Sequence, residues 1–160
     1  MRTDIWSSSA AWPVVVSRLC AGVLLALLAA CAEPEIRYAD GEGGEFADWE
    51  GNWVFVNYWA EWCAPCREEI PELNEFHAAD NGAMVIGVNY DGIRDEALLD
   101  LMREMDVRFP VLNDCPSTAL RYSRPDRLPT TFVFNPEGEL VRTLIGPQSE
   151  DDLAEVAGLH

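Results

Sequence analysis

The sequence predicts an α/β domain, with a central mixed β-sheet flanked by helices on both faces. Three observations carry this. From Phe46 onward, strand-like apolar runs alternate with runs of helical periodicity. The last two strand-like runs are separated only by Asn135-Pro136-Glu137-Gly138, a hairpin turn, so the sheet has an antiparallel end. The chain has 160 residues and 49% hydrophobic content, enough for one compact domain with a core.

The elements follow in order. Val54-Phe55-Val56-Asn57-Tyr58-Trp59 is β-branched and aromatic, and reads as a buried strand. Ala64 to about Ala79 reads as a helix, with Ile70, Leu73, Phe76 and His77 on one stripe. His77 belongs to the packing there rather than to a ligand set. Asp80-Asn81-Gly82 ends the helix with turn chemistry. Met84–Asn89 is a second buried strand. Asp95 caps a helix that buries Leu98, Leu101, Met102 and Met105. Phe109–Leu112 is a short strand, and Ser117–Tyr122 forms one or two helical turns. Thr130–Phe134 and Glu139–Leu144 make the hairpin. Ser149, with Asp152 three residues on, starts a final helix.

The first thirty residues differ from the rest. Arg18 precedes a 12-residue uncharged run, Leu19 to Ala30, too short for a membrane span of roughly 20 residues. It has the length of a signal-peptide apolar region, with a positive charge before it and small residues at its end. Leu28-Ala29-Ala30-Cys31 resembles a bacterial lipobox, in which Cys31 becomes the lipidated first residue of the mature chain. A plain cleaved signal peptide and an uncleaved anchor are the alternatives. The stretch before Arg18 is long and carries Asp4, which points to a start downstream of Met1. The expected organisation is therefore a signal peptide over 1–30, a flexible tether over 31–45 and the folded domain over 46–160. The tether AEPEIRYADGEGGE holds a short strand near Ile36–Tyr38 at most.

The formal net charge is −17, and all eleven basic residues are arginine. Such a chain repels nucleic acid and anionic headgroups, which argues against polyanion binding, with recognition of a basic partner as the alternative reading of the charge. Solubility is the plain reading of the acidity.

Two of five cysteines are accounted for in this way: Cys20 leaves with the signal peptide and Cys31 carries the lipid. Cys63, Cys66 and Cys115 remain. Cys63-Ala64-Pro65-Cys66 stands at a strand-to-helix junction. Free backbone N–H groups and the helix dipole there favour a thiolate, and thiol pKa values in such motifs fall to roughly 3.5–7.5. Pro65 suits the first helical turn. Cys63 can attack a partner's disulfide and Cys66 can resolve the mixed disulfide. A structural disulfide is the first competing reading, but so short a loop staples little chain. Half of a zinc site is the second; it needs two more ligands at fitting spacing, and His77 and His160 are far apart in sequence. Cys115 reads as a buried, inert thiol, with a surface thiol for mixed disulfides as the alternative.

Phe55 to Cys66 (FVNYWAEWCAPC) resembles the active-site strand and helix of the thioredoxin-like superfamily. Leu128-Pro129-Thr130-Thr131-Phe132, about 65 residues on, resembles that superfamily's cis-proline loop and following strand. Within the superfamily the chain is most similar to the membrane-anchored TlpA/ResA/DsbE type. Asn57 stands where cytoplasmic thioredoxins carry a buried Asp. Asp91 to Leu112 looks like the helix–strand insert of that subgroup, and Pro71 like the helix-kinking proline.

The resemblance implies a thioredoxin fold and an exported thiol–disulfide oxidoreductase with a Cys63–Cys66 disulfide. Cys63 is then the nucleophile, Cys66 the resolving thiol and Glu69 an acid/base one helical turn away. A solvated Glu69 in the Arg67-Glu68-Glu69 run is the alternative. Trp62, Ala64, Pro65, Leu128 and Pro129 would meet the client, with backbone beside Pro129 pairing to an extended segment. Asn57 satisfies local hydrogen bonds and cannot relay protons as a carboxylate would. The subgroup implies a lipid-anchored, monomeric reductant in the bacterial periplasm, acting for example on apocytochrome c and recharged by a membrane donor of the DsbD/CcdA type. No cofactor and no metal are called for. Three other readings compete: a peptide-binding or chaperone module using the same groove, an oxidising disulfide-forming protein, and a peroxidase. The segment before Cys63 lacks the Pro- and Thr-containing loop a peroxidase needs.

Overall fold

The computed structural model describes residues 35–159. The expected signal peptide and Cys31 lie outside the described residues.

A five-stranded sheet forms the body. Its strands are β3 (Trp53–Trp59), β4 (Ala83–Asn89), β5 (Val111–Leu112), β6 (Thr130–Phe134) and β7 (Leu140–Ile145). Their spatial order is β5-β4-β3-β6-β7. β3 pairs parallel with β4, and β4 parallel with β5; β6 pairs antiparallel with both β3 and β7. The helices are α1 (Ala64–Ala78), α2 (Asp95–Glu104) and α3 (Glu150–Ala157). The two central strands are apolar on both faces because both faces are covered.

The cover is unequal. β3–α1–β4 and β4–α2–β5 step the same way across the sheet, so right-handed crossovers put both helices on one face. Residues of all three helices share one core there: Ile70, Leu73 and Phe76 from α1, Leu98 and Leu101 from α2, and Leu153 from α3, against Phe55, Trp59 and Val85. Each such side chain contributes about 1.5–3 kcal/mol by burial. The opposite face carries Val54, Val56, Tyr58, Ile86, Val88 and Phe132, covered by Trp49, Ile36, Leu120 and Tyr122. Among the described residues, its helical cover is a single 3-10 turn, Phe46–Trp49. Ser117–Tyr122, expected as helical turns, is irregular turn structure.

Three further boundaries differ. Part of the expected tether is folded: β1 (Ile36–Arg37) and β2 (Gly43–Gly44) form a hairpin with Ile36 buried. This hairpin joins the sheet edge, since Ala39 N–H donates to Val111 and Asn113 N–H to Arg37. The strand expected over Phe109–Leu112 narrows to β5, because Pro110 has no N–H to give. Asp95 does not cap α2; its N–H instead donates to Asn113 Oδ1 at 2.8 Å, and Asn113 Nδ2 donates back to Asp95 Oδ1.

Gly87 marks the tightest packing. A Cβ there would stand 2.8 Å from Val111 Cγ2 and 2.9 Å from Phe109 Cε2.

Candidate active site

β3 delivers the chain to the site and α1 begins it. Cys63 is the N-cap of α1, Pro65 sits in the first turn, and Pro71 lies inside the helix. Cys63 Sγ accepts the Cys66 N–H at 3.3 Å, so a backbone donor points at that sulfur. Cys63 and Cys66 are joined by a disulfide, and both are buried. Ala64 is exposed, Pro65 half-buried, and Trp62 is 65% exposed beside the disulfide. Trp62 Nε1–H donates to Asp91 Oδ2 at 2.9 Å, and its ring meets Tyr90 edge-on. The Leu128–Pro129 peptide is cis, with Leu128 half-buried and Pro129 buried at the start of β6.

Glu69 lies one turn past Cys66, and the structure buries it to 1% exposure. Asn57 Nδ2 donates to its Oε1 at 2.7 Å, and Gln148 N–H donates to its Oε2 at 3.1 Å. The same Nδ2 donates to Thr131 Oγ1 at 3.0 Å. Burial pushes the Glu69 carboxyl up to about 7, and the two hydrogen bonds only partly offset that. The solvated reading of Glu69 is thus overturned, because β3 and the loop before α3 close over it. Sequence reasoning missed Gln148 and Asp91. Gln148 acts through a backbone N–H, 79 positions away, and leaves no side-chain signal. Asp91 sits in Asn89-Tyr90-Asp91-Gly92, which reads only as a turn.

His77 is half-buried, and its Nδ1 accepts the Val85 N–H at 3.2 Å. Burial holds its pKa below the usual value. Cys115, expected to be buried, is exposed. It lies on the opposite face of the sheet, 3.0 Å from the Tyr58 hydroxyl and 3.3 Å from Ser117 Oγ. Partial burial raises its pKa, but these hydroxyls and Arg124 outweigh that and bring it below the usual thiol value.

Fold, paired thiols and cis-proline loop together define a class, the thiol–disulfide oxidoreductases of the thioredoxin fold. The chain belongs to the AhpC/TSA family, which matches residues 30–143. It is 34% identical over 122 residues to thiol-disulfide oxidoreductase ResA of Bacillus subtilis, spanning 75% of this chain and 68% of that one. The exposed lipoprotein thioredoxin Etrx1 of Streptococcus pneumoniae superposes with a TM-score of 0.65 at 26% identity, covering 79% of this chain and 98% of that one. StoA of Bacillus subtilis shares the fold at a TM-score of 0.61 and 24% identity, over 75% and 92% of the two chains. The protein is a thiol–disulfide oxidoreductase whose substrates are thiols and disulfides.

Proposed function

We propose that this protein is an extracytoplasmic reductant of disulfides in exported proteins. The observation that carries this is a two-cysteine pair at a helix start with a buried carboxyl, Glu69, one turn along. In the reduced protein the Cys63 thiolate attacks a client disulfide. One client sulfur leaves as thiolate, and Cys63 forms a mixed disulfide with the other. Cys66 loses its proton to Glu69 and attacks Cys63 Sγ. The second client sulfur leaves, and the Cys63–Cys66 bond forms. Two electrons have passed from the dithiol to the client. A carboxyl near neutrality suits this work, since it both takes and returns a proton at working pH.

Trp62, Ala64 and Pro65 on one side and Leu128 and Pro129 on the other receive the client segment. The clients include proteins such as apocytochrome c, and a membrane donor of the DsbD/CcdA type restores the dithiol. Residues 1–30 direct export and Cys31 carries the lipid that holds a monomer at the membrane. The likeness to the pneumococcal protein, an exposed lipoprotein, supports that placement.

The test is the midpoint potential of Cys63/Cys66 against glutathione. A value near or below about −250 mV is expected; one near about −120 mV assigns an oxidant instead. Replacing both cysteines with Ser while client maturation persists would favour a peptide-binding role.

A further inference from the structure

Among the described residues, three buried side-chain polar atoms have no hydrogen-bond partner, and one is Asn57 Oδ1. Asn57 is also the residue that donates to Glu69. Its Nδ2 spends both hydrogens, one on Glu69 Oε1 and one on Thr131 Oγ1. The carboxamide is completely buried, so Oδ1 reaches no bulk water. This arrangement suits a carboxylate and fails a carboxylic acid. A protonated Glu69 needs an acceptor for its O–H. The partner of Oε2 is the backbone N–H of Gln148, which can only donate. The partner of Oε1 is a carboxamide, which offers a donor one way round and an acceptor the other.

We propose that Asn57 is a positioning residue whose carboxamide turns over when Glu69 takes up a proton, so that Oδ1 receives the new O–H. The proposal rests on the reading of Glu69 as a group that exchanges a proton during the reaction.

Three arguments support it. The terminal torsion of Asn is broad and roughly two-fold, and O and NH₂ are close in size, so the turn disturbs little packing. Thr131 carries a hydroxyl, which accepts from Nδ2 in one state and donates to Oδ1 in the other. The count of unpartnered atoms also favours the turn. With Glu69 charged, only Oδ1 is unpartnered. With Glu69 protonated and the amide turned, only Nδ2 is. With Glu69 protonated and the amide unturned, both Oδ1 and the new O–H are, and each buried unmet group is destabilising. The turn therefore lets one buried carboxyl exist in both forms at similar cost. It also reverses, from acceptor to donor, what the amide presents on its open side.

Other groups do not supply this role. Glu69 enters no ion pair among the described residues, and no opposite charge contributes to its shift. Neighbouring carboxylates are exposed: Glu68 and Glu72 on α1, and Glu150, Asp151 and Asp152 in the first turn of α3. Glu72 Oε2 is taken up with the Glu150 N–H. Cys63 and Cys66 cannot titrate while joined.

The test is NMR on the full chain in its disulfide form, labelled at Asn side-chain nitrogen and Glu carboxyl carbon, from pH 5 to pH 9. The expected result is a Glu69 carboxyl titration, with the Asn57 amide protons losing their close approach to Thr131 and Glu69 on the acid side at the same midpoint. In Glu69→Gln the Asn57 amide signals stay constant with pH. If Glu69 titrates and the Asn57 amide keeps its neighbours, the turn is overturned while the acid/base reading stands. If Glu69 does not titrate in this range, both are overturned.

Discussion

Asn57 and Tyr58 are neighbours on β3 and face opposite sides of the sheet. Both are buried polar residues, and both hold a hydrogen-bonded cluster together. Asn57 serves Glu69 and Thr131. The Tyr58 hydroxyl lies 3.0 Å from both Cys115 Sγ and the Tyr122 hydroxyl. The outcomes differ. On the helix-covered face a carboxyl is lifted into the neutral range and one acceptor is left unmet. On the other face, burial drives Tyr58 and Tyr122 upward, so both stay protonated at any working pH, and each hydroxyl has a partner. Alternation along one strand thus sets Asn57 beside a carboxyl lifted toward neutrality on one face and Tyr58 among hydroxyls that stay protonated on the other.

The contrast can be tested from its strongest arm to its weakest. Cys63→Ser is expected to bring disulfide exchange to the uncatalysed rate while the fold persists, read by an insulin-reduction assay and by circular dichroism. Glu69→Gln comes next. The folded carboxyl titrates at about 7 against 4.5 for its ordinary value, so the folded state holds the extra proton between those pH values. The contribution of Glu69 to stability is therefore full below about pH 4.5 and is lost as pH rises to 7, by about 3 kcal/mol in total. Denaturant melts of Glu69→Gln should lack that decline and show a more stable protein at pH 8. A matching slope in variant and parent would remove Glu69 as the titrating group.

Tyr58→Phe is expected to cost about 1 kcal/mol, because Cys115 and Tyr122 both lose a partner. It should leave the pH slope intact and raise the Cys115 thiol pKa, so maleimide labelling of Cys115 at pH 7 slows. The smallest effect belongs to Cys115→Ser, where exchange at Cys63–Cys66 should stay within about twofold of the parent, as surface changes away from a site usually do. A larger loss would join the two faces functionally.

Much of this was legible from local pattern. Cys63 and Cys66, the bounds of α1, the β6–β7 hairpin and the Ser149–Asp152 capping box all depend on residues within a few positions of one another. What was illegible depends on distant partners. The burial of Glu69 needs Gln148 and Asn57, and neither is near it in sequence. The start of α2 is held by Asn113, eighteen residues on, so Asp95 only resembled a cap. Ile36 looked like part of a tether because its burial comes from pairing at the edge of β5. Cys115 looked buried on general grounds, yet its loop leaves the sulfur at the surface.

Trp62 brings a practical consequence. Its indole is 65% exposed, held by Asp91, and adjacent in sequence to the bridge. Disulfides quench nearby indole emission, so opening the bridge should brighten this one fluorophore. The molecule carries its own optical gauge of redox state, and turnover can be followed by light without attaching a dye.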